Sequence, residues 1–185
     1  YIDDTSGVSK ELDEQVRDEV NRLGIPEMLK RGDSVRFATY KLSDSFFVNS
    51  KEETLAPGGP TDLYNIPLNW ALEKGSAKAA SSVATSLFNA LAQNTERSNR
   101  IVLVFSDGVE NSDLADFYKN PPKKEKYGEL LGKLTTQRPL PPLNGVDVRW
   151  YCPKTAVAAD AIDASKNFWE AVLKQTGAWQ VKMVY

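Results

Sequence analysis

A chain of 185 residues, with 23 Lys and Arg against 25 Asp and Glu and a net charge of −2, can bury one sizeable core but lacks the basic excess that binding to phosphate backbones needs, so nucleic acid is not an expected partner. Histidine is absent, which removes Ser-His-Asp and Cys-His catalytic arrangements and leaves hard, oxygen-bound cations as the expected metals. No apolar run approaches the roughly 20 residues that cross a bilayer, so no transmembrane segment is expected in the chain.

The first strand has only Tyr1 and Ile2 ahead of Asp3 and Asp4. Buried parallel strands carry longer apolar runs, so the numbered chain is expected to start inside a longer protein, with residues 1–185 as a single domain. Leu12, Val16, Val20 and Leu23 recur at intervals of four, four and three, the stripe of an amphipathic helix that Gly24 and Pro26 are expected to end. Residues 34–42, SVRFATYKL, alternate imperfectly as a strand, and 45–49, SFFVN, read as its hairpin partner across Ser43 and Asp44, with KEETLAPGGP as the loop that follows.

From Thr61 a helical pattern runs through Leu63, Ile66 and Trp70, and after Gly75 a second carries Val83, Leu87 and Leu91. IVLVF at 101–105 is continuous and β-branched, the mark of a central strand buried on both faces; it stops at Ser106, Asp107 and Gly108. A short helix near 125–135, a proline-rich connector and the strand VDVRWYC at 146–152 come next, the last holding the single cysteine, Cys152, as a buried strand thiol. A helix over 161–175 stopped by Gly177 and a last strand at 181–185 complete the pattern. Lys123-Lys124 and the PLPP segment read as solvated loops.

Strands alternating with helices predict a single three-layer α/β domain: a central, mostly parallel sheet with an antiparallel edge strand and helices on both faces. In such sheets ligands bind beyond the carboxyl ends of the strands. Three loops share one chemistry: DDTSG after the first strand, GGPTD before a helix, and SDG after the apolar strand. Oxygen-bearing side chains converging from several loops suit Mg²⁺, Mn²⁺ or Ca²⁺. Each tripeptide alone is ordinary turn or cap chemistry: Ser9 could cap the first helix, Thr61 the second, and Asp107 could order its own turn.

In order and spacing the three loops resemble the metal-ion-dependent adhesion site of the von Willebrand factor A family. That site reads Asp-x-Ser-x-Ser on the first loop, a Thr after a glycine-rich loop, and an Asp at the end of a central strand. Asp4-Thr5-Ser6-Gly7, Gly58-Gly59-Pro60-Thr61-Asp62 and Val104-Phe105-Ser106-Asp107-Gly108 are similar to these pieces. The resemblance spans the chain and implies a Rossmann-like fold. It also implies a divalent cation, Mg²⁺ or alternatively Mn²⁺ or Ca²⁺, bound directly by Ser6 and Thr61, with Asp4 and Asp107 acting directly or through water. A protein partner's carboxylate would complete the coordination, as in the family, making this a non-enzymatic adhesion domain.

One position departs from the pattern. The second serine of the family is Val8 here, which has no oxygen to offer; Ser9 stands one residue off register, and Asp3 and Asp62 add charge nearby. Val8 favours the alternative of a metal-free scaffold domain with the same fold. A second alternative, a Mg²⁺-dependent phosphatase of the haloacid dehalogenase type, wants Asp-x-Asp after the first strand. Asp3 and Asp4 are adjacent and would point to opposite sides of a strand, which disfavours it.

Overall fold

The computed structural model describes residues 10–42, 48–72, 83–92, 100–136, 139–152, 159–178 and 180–184. Val16 and Val20 lie one turn apart on helix α1 (Lys10–Arg22) and both are buried, as their spacing predicts. Gly24 then turns the chain in the left-handed region at φ 67°. Helix α1 ends ahead of Gly24 and Pro26, as expected, but Pro26 also sits in the first turn of a second helix, α2 (Ile25–Lys30), which buries Ile25 and Leu29. A proline there lacks an N–H that would have had no partner anyway, and its fixed φ suits the helix.

Strands β1 (Val35–Leu42) and β2 (Val48–Leu55) form an antiparallel pair with Val35 opposite Leu55 and Leu42 opposite Val48. The expected hairpin forms, with Val48 and Asn49 of SFFVN opposite Leu42 and Lys41, but its second strand runs on to Leu55, so KEETL is strand, not loop; residues 45–47 lie outside the described residues. Backbone pairing does not require apolar side chains where the face is open. Lys51 and Glu52 are exposed, and Arg36 Nε donates across the ladder to Glu52 Oε2 at 3.0 Å.

Helix α3 (Asn65–Leu72) follows a run of turns at 61–64 and buries Pro67, Leu68 and Ala71. Ile66, expected in the core stripe, is 42% exposed. The buried stripe is displaced around the helix because the regular turns start at Asn65, not at Thr61. Helix α4 (Val83–Ala92) buries Val83, Leu87 and Leu91 as their period predicts, together with Ala84 and Phe88.

Strands β3 (Arg100–Phe105), β4 (Val146–Tyr151) and β5 (Gln180–Val184) form a parallel ladder in the order β3-β4-β5. Between β3 and β4 stand a 3₁₀ turn at 124–126 and helix α5 (Tyr127–Leu134); α6 (Ala159–Gln175) links β4 to β5 and is followed by Gly177 at φ 90°. Among the described residues the central strand of the ladder is β4, and β3 stands at its end. Ile101, at the start of β3, is 44% exposed, so the expected burial on both faces is realised only at Val104 and Phe105.

Alternate side chains of this ladder enter two different cores. Val104, Val148 and Trp150 pack with Phe88 and Leu91 of α4 and with Phe168 and Trp169 of α6. Phe105 and Tyr151 pack with Val16 and Val20 of α1, Ile25 and Leu29 of α2 and Leu68 of α3. The period of two along β3 and β4 thus sends neighbouring residues to opposite faces. The chain is a mixed α/β protein with a parallel three-stranded sheet and an antiparallel two-stranded one. No helix among the described residues is long and apolar enough to cross a membrane.

Candidate functional site

At the carboxyl end of β3 the chain leaves the sheet through Ser106, Asp107 and Gly108. The Ser106 amide donates to the Tyr151 carbonyl at 3.1 Å, extending the ladder by one bond. Gly108 then takes φ +73°, a conformation costly for a residue with a Cβ. Its amide donates to Ser106 Oγ at 3.0 Å, and the Val109 amide donates to Asp107 Oδ1 at 2.9 Å. Self-ordering turns of this type are what Ser and Asp side chains build.

Two buried indoles brace the same turn. Trp150 Nε1 on β4 donates to the Ser106 carbonyl at 2.7 Å, and Trp169 Nε1 on α6 donates to the Gly108 carbonyl at 2.8 Å. The two rings stack with centroids 5.7 Å apart and an interplanar angle of 27°. A Cβ on Gly108 would lie 3.2 Å from an atom of each ring, an approach that the rings could meet only by giving way a few tenths of an ångström. Just beyond the turn, the buried Glu110 accepts the Ala84 amide at 2.7 Å and ties the start of α4 to this end of the sheet.

Asp107 is the half-buried carboxylate that this frame presents. Burial raises its pKa above the ordinary aspartate value, and the Val109 N–H offsets part of that rise. No ion pair with it is formed among the described residues. Cys152, just past the end of the neighbouring strand, has its thiol pushed up to about 11, first by burial and then by the Asp107 charge. The thiolate is the reactive form. Alkylation of Cys152 by iodoacetamide in the folded protein is therefore expected to be slow at pH 8 and to climb about tenfold per pH unit towards pH 11. A folded-state rate equal to that of the urea-denatured chain would refute this.

The other expected ligands are placed less directly. Asp4, Ser6 and Ser9, with Asp3 and Val8, lie outside the described residues. Thr61 is exposed in the turn before α3. Helix α3 runs antiparallel to α1: Arg17 Nη2 donates to Asn69 Oδ1 at 3.0 Å, and the Tyr64 hydroxyl donates to Asn21 Oδ1 at 3.1 Å. Thr61 itself precedes α3 by the turns at 61–64. Among the described residues no three Asp, Glu or Cys side chains come together as a metal would need.

Sequence reasoning singled out Asp107 but passed over the two tryptophans and Glu110. In an apolar strand or a helix stripe, an indole reads as core volume, and nothing local reveals where its N–H will point. No family model, no curated protein and no solved structure matches the chain.

Proposed function

We propose that the chain is a non-enzymatic binding domain of the von Willebrand factor A type, a single three-layer unit that engages a protein partner through a divalent cation at the carboxyl end of its sheet. The observation that carries this reading is Asp107: a carboxylate at the end of a parallel strand, partly withdrawn from water, with one oxygen bound to the Val109 N–H and no cationic side chain paired with it among the described residues. Such a group favours a hard cation. Asp4 and Ser6, with Ser9 as a further donor, would supply the remaining oxygens, and a carboxylate of the partner would fill an open position. When bound, Mg²⁺ or Mn²⁺ would supply the Lewis acidity that attracts that carboxylate. Thr61, exposed in the turn before α3, would be a further ligand.

Val8, at the family's second serine position, favours a second reading, a scaffold domain that binds its partner without metal. Melting curves with excess Mg²⁺ and with chelator separate the two. A ligand that binds only the folded state stabilises it by RT ln(1 + [L]/Kd), about 2.7 kcal/mol at a hundredfold excess over Kd. Under the metal reading the unaltered chain melts higher with Mg²⁺, and Val8→Ser, which adds a hydroxyl at the family's missing ligand position, enlarges the rise. Thr61→Ala reports whether that side chain takes part. Identical melting temperatures with Mg²⁺, Mn²⁺, Ca²⁺ and chelator would end the metal reading and leave the scaffold one.

A further inference from the structure

The segment KNPPKKEK at 119–126 holds four lysines against one glutamate, a positive stretch in a chain whose net charge is −2. Aromatic rings pin its ends to the core. Phe117, ahead of it, and Tyr127, after it, both meet Phe168 of α6 edge-on, at 5.4 and 5.3 Å. Residues 118–126 therefore form a loop whose two ends stand against one side chain. Pro122 is buried midway, and the Lys126 amide donates to the Lys123 carbonyl at 2.8 Å. The backbone is held at its start, middle and end, while Lys119, Lys123, Lys124 and Lys126 are all exposed. Compact surface loops with adjoining ends are frequent sites of function. Trp169, next to Phe168, holds the Gly108 carbonyl, so the loop hangs beside the carboxyl end of β3, the end at which α/β sheets take ligands.

The acids around the loop do not neutralise it. Asp116 is paired with Lys119 at 3.0 Å and Glu129 with Lys133 at 2.8 Å, and Lys123 and Lys124 form no ion pair among the described residues. We infer that the loop 118–126 is a docking surface for an acidic peptide segment of a protein partner, whose Asp and Glu side chains meet Lys123 and Lys124. Tyr118, 46% exposed, and the exposed Pro121 offer it apolar contact. An anionic membrane fits less well, because the loop has no aliphatic side chain to insert, and Asp113, Glu125 and Glu129, all exposed, would repel lipid headgroups. A narrow peptide can pass between those acids. The docking surface needs no cation, so it goes beyond the proposed metal site and stands under either reading of the function.

The test is fluorescence anisotropy of a labelled peptide of alternating Asp and Ser, with its Asn-Ser counterpart as blank, in chelator and at low salt. The unaltered chain is expected to bind the Asp peptide and not the blank, with affinity falling as salt rises. Lys123→Glu with Lys124→Glu is expected to weaken binding about tenfold, since each reversal replaces an attraction with a repulsion. Lys30→Glu with Lys51→Glu, at exposed positions outside the loop, changes the net charge equally and is expected to leave affinity within about twofold. If circular dichroism shows the reversed loop variant unfolded, Lys123→Gln with Lys124→Gln carries the test, with a loss of about threefold. No binding by the unaltered chain, equal weakening by both pairs of substitutions, or full affinity in the folded loop variants overturns the docking surface. Sedimentation with phosphatidylserine vesicles in the absence of peptide binding overturns it in favour of a membrane. With chelator present throughout, failure here leaves the cation reading standing, and a melting temperature indifferent to Mg²⁺ leaves the loop standing.

Discussion

Trp150→Ala is expected to destabilise the fold by about 3–5 kcal/mol, read as a fall in the urea midpoint at nearly constant m-value. The ring is among the largest fully buried side chains, at 1% exposure, and stacks on Trp169. Its removal opens a cavity between β4 and α6 and also leaves the Ser106 carbonyl without its indole donor, a loss that adds to the cavity cost. The neighbouring Tyr151 lies on the opposite face of β4, in the other core, and its hydroxyl donates to Glu19 Oε2 at 2.7 Å. Tyr151→Phe keeps the ring and its stacking on Phe105 at 5.0 Å, so it is expected to cost about 1–3 kcal/mol, the range for a buried partner left unsatisfied. Equal losses in the two variants would contradict the assignment of Trp150 to the larger packing role.

What the sequence made legible follows from where local pattern and tertiary demand coincide. The stripe Val83, Leu87, Leu91 and the run VDVRWYC were readable because burial on α4 and β4 follows the intrinsic periods of helix and strand. Gly108 was readable as a strand stop because a positive φ leaves a residue-level trace. Three features were not. Pro26 opens a helix as readily as it ends one, and only the left-handed Gly24 ahead of it decides which. Strand β2 is polar because its face is open, so its alternation carries no apolar signal. The buried face of α3 depends on which residue begins the regular turns, and a shift of a few positions there exposes Ile66. At the candidate site, Asp107 was legible from its place after an apolar strand. The indoles were not, because their hydrogen bonds close over 44 and 61 residues of chain.

Asp107→Asn is expected to raise the melting temperature at pH 7 in the presence of chelator, and to make the protein indifferent to Mg²⁺. The sign follows from the direction of the shift. Burial raises the Asp107 pKa above its unfolded value, so the folded state holds the proton more tightly than the unfolded one. Stability from this group is intact below the unfolded pKa and is lost as pH rises through the folded pKa. Above the folded pKa that loss is complete, and there the charged carboxylate lowers stability. Asparagine keeps an oxygen to accept the Val109 N–H and carries no charge, so it removes that penalty; near pH 3, where aspartate itself is largely neutral, parent and variant should converge. A bound cation reverses the order, because the parent then gains the binding free energy, about 2.7 kcal/mol at a hundredfold excess over Kd, and the variant gains little. The two melting temperatures are therefore expected to cross between chelator and excess Mg²⁺. If the variant is less stable in chelator as well, Asp107 is a structural turn residue, and its partly buried charge has no claim on a metal.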